Sequence, residues 1–174
     1  MTLPNAWASL VLYSVLATLT GPSLIAAGNS SALPNVIVIL ADDLGYGDLS
    51  CYGNDRFTTP HLDALAKRGA RFTDFHSNGP VCSPTRAALM TGRYQQRTGI
   101  DEVVMADPKL GMRETHGLNP TEITFAKLLK QVGYQTGIMG KWHLGYDVKF
   151  NPTNLGFDEF RGYVSGNVDF HSRR

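Results

Sequence analysis

Pro34-Asn35-Val36-Ile37-Val38-Ile39-Leu40-Ala41-Asp42-Asp43-Leu44-Gly45-Tyr46-Gly47 sets the reading of this 174-residue chain. Val36 to Leu40 is an unbroken, largely β-branched apolar run. A strand with one wet face would alternate apolar and polar residues; an unbroken run predicts a strand covered on both faces, as in a parallel sheet. Asp42 and Asp43 stand at its carboxyl end, and Gly45 and Gly47 let the chain turn there. Neighbouring strand residues point to opposite faces, so one ion could meet both carboxylates only across such a turn. Buried carboxylates need a counter-charge, and hard divalent cations prefer oxygen. A solvated loop pair or a helix cap accounts for the same two residues.

The segments that follow alternate. Thr59 can cap a helix, Pro60 fits its first position and Gly69 stops it, with Leu62, Leu65 and Ala66 as the apolar stripe. Ala70 to His76 reads as a second strand. Ser83-Pro84 starts a helix that runs to Gly92. A third helix is expected from Asn119-Pro120 to Gly133, with Glu122 completing a capping box. Tyr134 to Met139 reads as another strand, followed by Gly140-Lys141-Trp142-His143. The polar stretch from Gly99 to Gly117 reads as a surface loop. Strands alternating with helices predict an α/β class, a mostly parallel sheet flanked by helices. Ligands collect at the carboxyl ends of such strands, where Asp42-Asp43, Cys82 and Lys141-His143 all fall.

Bulk properties narrow the function classes. A net charge of +1 and 43% hydrophobic residues describe a globular chain, with no general attraction for nucleic acid or for an anionic membrane surface. The first basic side chain is Arg56, and ahead of it Ala6 to Leu19 is apolar. That length matches the core of a signal peptide and is short for a membrane span. Residues 1–27 are therefore expected to be a cleaved leader, with small residues at Ala26, Ala27 and Gly28. An uncleaved anchor or a buried helix is the other reading of that run. Export implies a secreted or periplasmic protein with no stable membrane association.

The two cysteines, Cys51 and Cys82, would form one disulfide in the plainest reading of an exported protein. The context of Cys82 points elsewhere. Cys82-Ser83-Pro84-Thr85-Arg86 places a thiol at a helix start, beside free backbone amides and the positive end of the helix dipole. Arg86 lies one turn on, where it can hold an anion. A half-cystine or a buried thiol with a capping arginine is the alternative. Lys141 and His143 add a cation and a titratable ring two residues apart, which in extended backbone share a face. A surface lysine and a core histidine packed with Trp142 would read the same way.

These segments occur together in a fixed order. PNVIVILADDLGYGDLSCYG, TPHLDALAKRGARFTDFH, CSPTRAALMTGR and GYQTGIMGKWHLG resemble the type I, formylglycine-dependent sulfatases, a branch of the alkaline-phosphatase-like superfamily. CSPTR fits that family's Cys-x-Pro-x-Arg signature, and the resemblance runs from Pro34 to about Gly166.

The resemblance implies a sulfuric ester hydrolase of arylsulfatase type. In that family a separate maturation enzyme oxidises the motif cysteine, here Cys82, to formylglycine. One hydroxyl of its hydrate attacks sulfur, and the other expels sulfate from the covalent intermediate. By the same resemblance Asp42, Asp43 and the modified Cys82 hold Ca2+, and the ion polarises the sulfate. Arg86 orients the formylglycine, Lys141 binds sulfate oxygens and His143 takes a proton. Ser165 lies near a sulfate-site serine of some members, and His171 could face substrate or solvent. The implied substrate is a sulfated small molecule or carbohydrate. A phosphonate or phosphate ester hydrolase of the same superfamily, or a non-catalytic remnant, fits some of these features. Family members run to several hundred residues and supply an Asp-Asn metal pair, a histidine and a lysine from a later segment. The 174 residues are therefore expected to be the N-terminal part, 34–174, of a catalytic domain.

Overall fold

The computed structural model describes residues 33–169, so the leader at 1–27 and His171 fall outside the described residues. The chain divides into two units, Met1–Leu40 and Ala41–Arg174. In the first unit, residues 33–40 form no strand, and Ile37 and Ile39 are 83% and 81% exposed. This departs from the doubly covered strand read from Val36 to Leu40. An apolar run becomes such a strand only where neighbours complete its ladder and cover both faces, and no described residue of this unit does so.

Among the described residues the second unit orders four α-helices and two strands: α1 Pro60–Arg68, α2 Cys82–Thr91, α3 Met112–Thr115, α4 Phe125–Gln131, β1 Gly137–Lys141 and β2 Glu159–Tyr163. Strands β1 and β2 are parallel, in a register that pairs Gly137 with Glu159 and Lys141 with Tyr163. The connection between them is built on short 3-10 turns at Val148–Phe150 and Pro152–Leu155. The α/β class therefore stands, with a small two-stranded parallel sheet and flanking helices.

Helix α1 starts at Pro60 and ends before Gly69 as the sequence predicts. Its Thr59 does not cap; the hydroxyl donates to Asp63 Oδ1 at 2.9 Å. Ser50 Oγ donates to Asp63 Oδ2 at 2.7 Å, and the Cys51 amide to Oδ1 at 2.9 Å. The Ser50 hydroxyl, above all, holds that carboxyl below its usual range. The α1 stripe is not core, because Leu62 and Leu65 are exposed. Ala70 to His76 forms no strand, and with Phe72 and Phe75 exposed no burial fixes a strand face there.

The third predicted helix begins later than expected, at Phe125. Asn119 Oδ1 accepts from the Thr121 amide at 3.0 Å and closes a local turn that competes with helix formation. Thr124 caps α4 instead, accepting from the Lys127 amide at 3.2 Å. Glu122 makes no capping box; both its oxygens accept from Arg93 NH1, at 2.7 and 2.5 Å. The stretch from Gly99 to Gly117 is not wholly surface loop, since Ile100 and Val104 are buried and α3 lies within it.

The core joins Ala87 and Met90 of α2 to Ile100, Val104, Leu118, Ala126, Trp142, Leu144, Leu155 and Phe157. Trp142 sits edge-on to Phe157 at 6.3 Å between centroids, and its indole N–H donates to the Phe150 carbonyl at 2.8 Å. Burying Trp142 and Leu144 on either side of His143 pins the backbone that carries the imidazole, each such side chain contributing about 1.5–3 kcal/mol.

Candidate active site

The start of α2 and the end of β1 face each other. Val81 is the N-cap of α2, so Cys82 occupies the first helical turn, half-buried, beside unsatisfied backbone amides. Ser83, Pro84, Arg86, Ala87 and Ala88 bury the face turned to the core. Beyond β1, at Lys141, the chain passes through Trp142 and turns at His143.

The only described non-glycine residues with positive φ are Asp43, at 57°, and His143, at 55°. Asp and His visit this left-handed region more readily than most residues, yet holding it still needs support from the surroundings. At Asp43 the chain makes the turn that the Asp42-Asp43 reading required. At His143 the turn replaces the extended geometry expected of Lys141-Trp142-His143, and the two side chains still reach one site.

His143 is 3% exposed. Its Nε2 lies 3.0 Å from the Val104 carbonyl oxygen and its Nδ1 lies 3.0 Å from Cys82 Sγ. A carbonyl only accepts, so Nε2 carries the proton and Nδ1 offers its lone pair to position 82. Burial first, then the Lys141 cation, pushes the His143 pKa down and keeps the ring neutral. The backbone of Gly166 lies against the ring: a Cβ there would stand 2.5 Å from both Cε1 and Nε2. The Gly166 amide in turn donates to the Tyr146 hydroxyl at 3.3 Å.

The cations converge from the other side. Arg86 NH1 donates to the Lys141 carbonyl at 2.6 Å, and Arg86 NH2 lies 3.4 Å from Asp42 Oδ1. Lys141 Nζ reaches Asp42 Oδ2 at 3.0 Å. The side chains of Arg86 and Lys141 are 10% and 9% exposed, against 43% for Asp42. Partial burial raises the Asp42 pKa, but the Lys141 and Arg86 charges outweigh it and hold the carboxyl below its usual range. Two nearly buried cations share one carboxylate, which leaves one positive charge to meet an anion.

The proposed calcium ligands are less complete. Calcium takes six to eight oxygens. Among the described residues no three His, Cys, Asp or Glu side chains converge on one point, and Asp42 is already engaged by two cations. The described residues do not by themselves fit the ion.

Cys51 and Cys82 are both free and half-buried, so no disulfide joins them. Ser165 Oγ donates to the Asn167 carbonyl at 2.7 Å, next to the Gly166 backbone that touches His143. Sequence reasoning missed Ser83, the Val104 carbonyl, Tyr146 and Gly166. Ser83 sits at an unspecified position of the motif and the others lie outside every motif, so no local signal marks them.

The start of α2 thus presents a half-buried cysteine to a buried histidine and two nearly buried cations beside a parallel strand. The chain belongs to the sulfatase family, whose family model matches residues 34–174. It is 46% identical over 141 residues to the steryl-sulfatase of Rattus norvegicus, covering 78% of this chain and 24% of that protein. To human arylsulfatase A it is 48% identical over 141 residues, covering 79% and 27%. It thus spans about a quarter of the length of these curated relatives. Among solved structures it resembles Ps i-CgsB with a TM-score of 0.68 and 40% identity, covering 76% of this chain and 28% of that one. A further structure holds Ps i-CgsB in complex with k-i-k-neocarrahexaose, at TM-score 0.64 and 38% identity, covering 72% of this chain and 27% of that one.

Proposed function

We propose that the protein is an exported sulfuric ester hydrolase in which Cys82, converted to formylglycine, carries the nucleophile. The observation that carries this reading is the 3.0 Å approach of Cys82 Sγ to His143 Nδ1 at the start of α2. An oxygen at the same position would lie within hydrogen-bond reach of the ring, so the site fits the modified residue. When present, the hydrated aldehyde supplies the hydroxyl that attacks sulfur and the second hydroxyl that later loses its proton.

The chain's own groups do the rest. Lys141 and Arg86 hold sulfate oxygens and the nucleophile, exchanging Asp42 for the substrate anion. The neutral imidazole takes a proton at Nδ1, while Nε2–H stays on the Val104 carbonyl. Asp42 and Asp43 would give oxygens to a calcium ion, which needs further donors to complete its shell. Residues 1–27 support export, and no described helix is long and apolar enough to cross a membrane. The substrate class is a sulfated small molecule or carbohydrate.

The test is co-production of the full chain with a formylglycine-generating enzyme. The peptide carrying Cys82 should lose mass on conversion of thiol to aldehyde. The converted protein should release sulfate from an aryl sulfate faster than phosphonate from the matching phosphonate ester. An unconverted cysteine, or a phosphonate preference, would reject the proposal.

A further inference from the structure

We infer that Ser83, the residue between Cys82 and Pro84, is the positioning residue of the site, and that its hydroxyl sets both the turn and the hydrogen-bond partner of His143. This rests on the reading of His143 as the proton acceptor. Ser83 is fully buried, at 0% exposure. Its Oγ donates to the His143 carbonyl at 2.9 Å and accepts from the Val104 amide at 3.1 Å. Val104 then accepts from His143 Nε2 through its own carbonyl at 3.0 Å. The three residues close a ring: one hydroxyl fixes the residue that bears the imidazole and the residue that fixes the imidazole's tautomer.

The ring joins segments far apart in sequence, namely α2, the stretch after Ile100 and the end of β1. It explains how a non-glycine residue is held at φ 55°. Without the hydroxyl, the His143 carbonyl and the Val104 amide would both face the core without this partner. Each would move to find another. Because Nε2 is tied to Val104, the ring would swing with it and Nδ1 would leave position 82. Ser83 itself contributes no atom to the reacting groups. A serine in this place is thus read as a brace that couples the nucleophile's helix to the base's turn.

The experiment compares Ser83→Thr, Ser83→Cys and Ser83→Ala in the full chain. Conversion at position 82 is quantified by mass for each variant, and turnover of an aryl sulfate is expressed per converted site. S83T keeps the hydroxyl and should stay near wild type. S83A should lose about tenfold to hundredfold in kcat, the scale of a 1 Å misplacement, with little change in KM. S83C keeps the size but weakens both hydrogen bonds, and should fall between them. Wild-type kcat per converted site in S83A, or a loss confined to KM, would overturn the inference. If S83A does not fold or is not converted, S83C decides: equality with S83T overturns it. A wild type that is converted yet hydrolyses no sulfate ester would instead sink the sulfatase reading.

Discussion

Gly166→Ala tests whether the site is packed as tightly as its geometry indicates. The new Cβ would stand 2.5 Å from Cε1 and Nε2 of His143 and 3.2 Å from Nδ1. Carbon contacts are comfortable near 3.5–4.0 Å, so ring and loop must separate by about 1 Å. Neither side gives easily. The ring is tied at Nε2 to Val104, and the Gly166 amide to Tyr146. Overpacking of this kind costs about 1–3 kcal/mol. At about 2–4 °C per kcal/mol for a domain of this size, the melting temperature should fall by several degrees. Displacing the base by 1 Å should lower kcat by up to about 10²-fold. The assay pairs thermal unfolding with aryl sulfate turnover, and repeats the unfolding on a His143→Ala background. There the obstacle is gone, so the alanine at 166 should cost little, giving a coupling of about 0.5–3 kcal/mol. An equal cost on both backgrounds would refute the packing argument.

Acid sensitivity should show two windows of the same sign. An unfolded His143 takes up a proton near pH 6.5, whereas burial and Lys141 resist it in the fold; its contribution is present above that pH and lost as pH falls below it. His143→Gln should flatten this part of a stability-against-pH curve. Asp158, held at about 2 chiefly by its bond to Lys130, contributes stability above about pH 3.9 that disappears as pH falls towards 2, and Asp158→Asn should remove only that lower window. Trp142→Phe deletes the donor to the Phe150 carbonyl at 2.8 Å and leaves a void against Phe157, which should destabilise by about 2–4 kcal/mol in chemical denaturation.

The parts of the fold legible in sequence are those fixed by local chemistry. Pro60 and Gly69 bound α1, and Ser83-Pro84 and Gly92 bound α2, because helix ends are decided by a few backbone positions. The gathering of Asp42, Cys82, Arg86, Lys141 and His143 was legible from motif order; of the strands read ahead of these residues, only the one that ends at Lys141 forms. What failed depended on partners. Val36 to Leu40 has strand composition, but a ladder needs a neighbour. Glu122 has capping spacing, but Arg93 takes its carboxylate and Asn119 closes a turn first. The left-handed turn at His143 and the Ser83 ring arise from contacts between residues 21 to 60 positions apart, which no short window of sequence displays.

The carboxylate of Asp42 has a consequence for how the protein waits for substrate. Arg86 and Lys141 stand largely out of solvent with a native anion already in place, so less hydration is left to displace than at an exposed cation. In the proposed hydrolase, substrate capture would be an exchange of one oxyanion for another at a preset electrostatic seat.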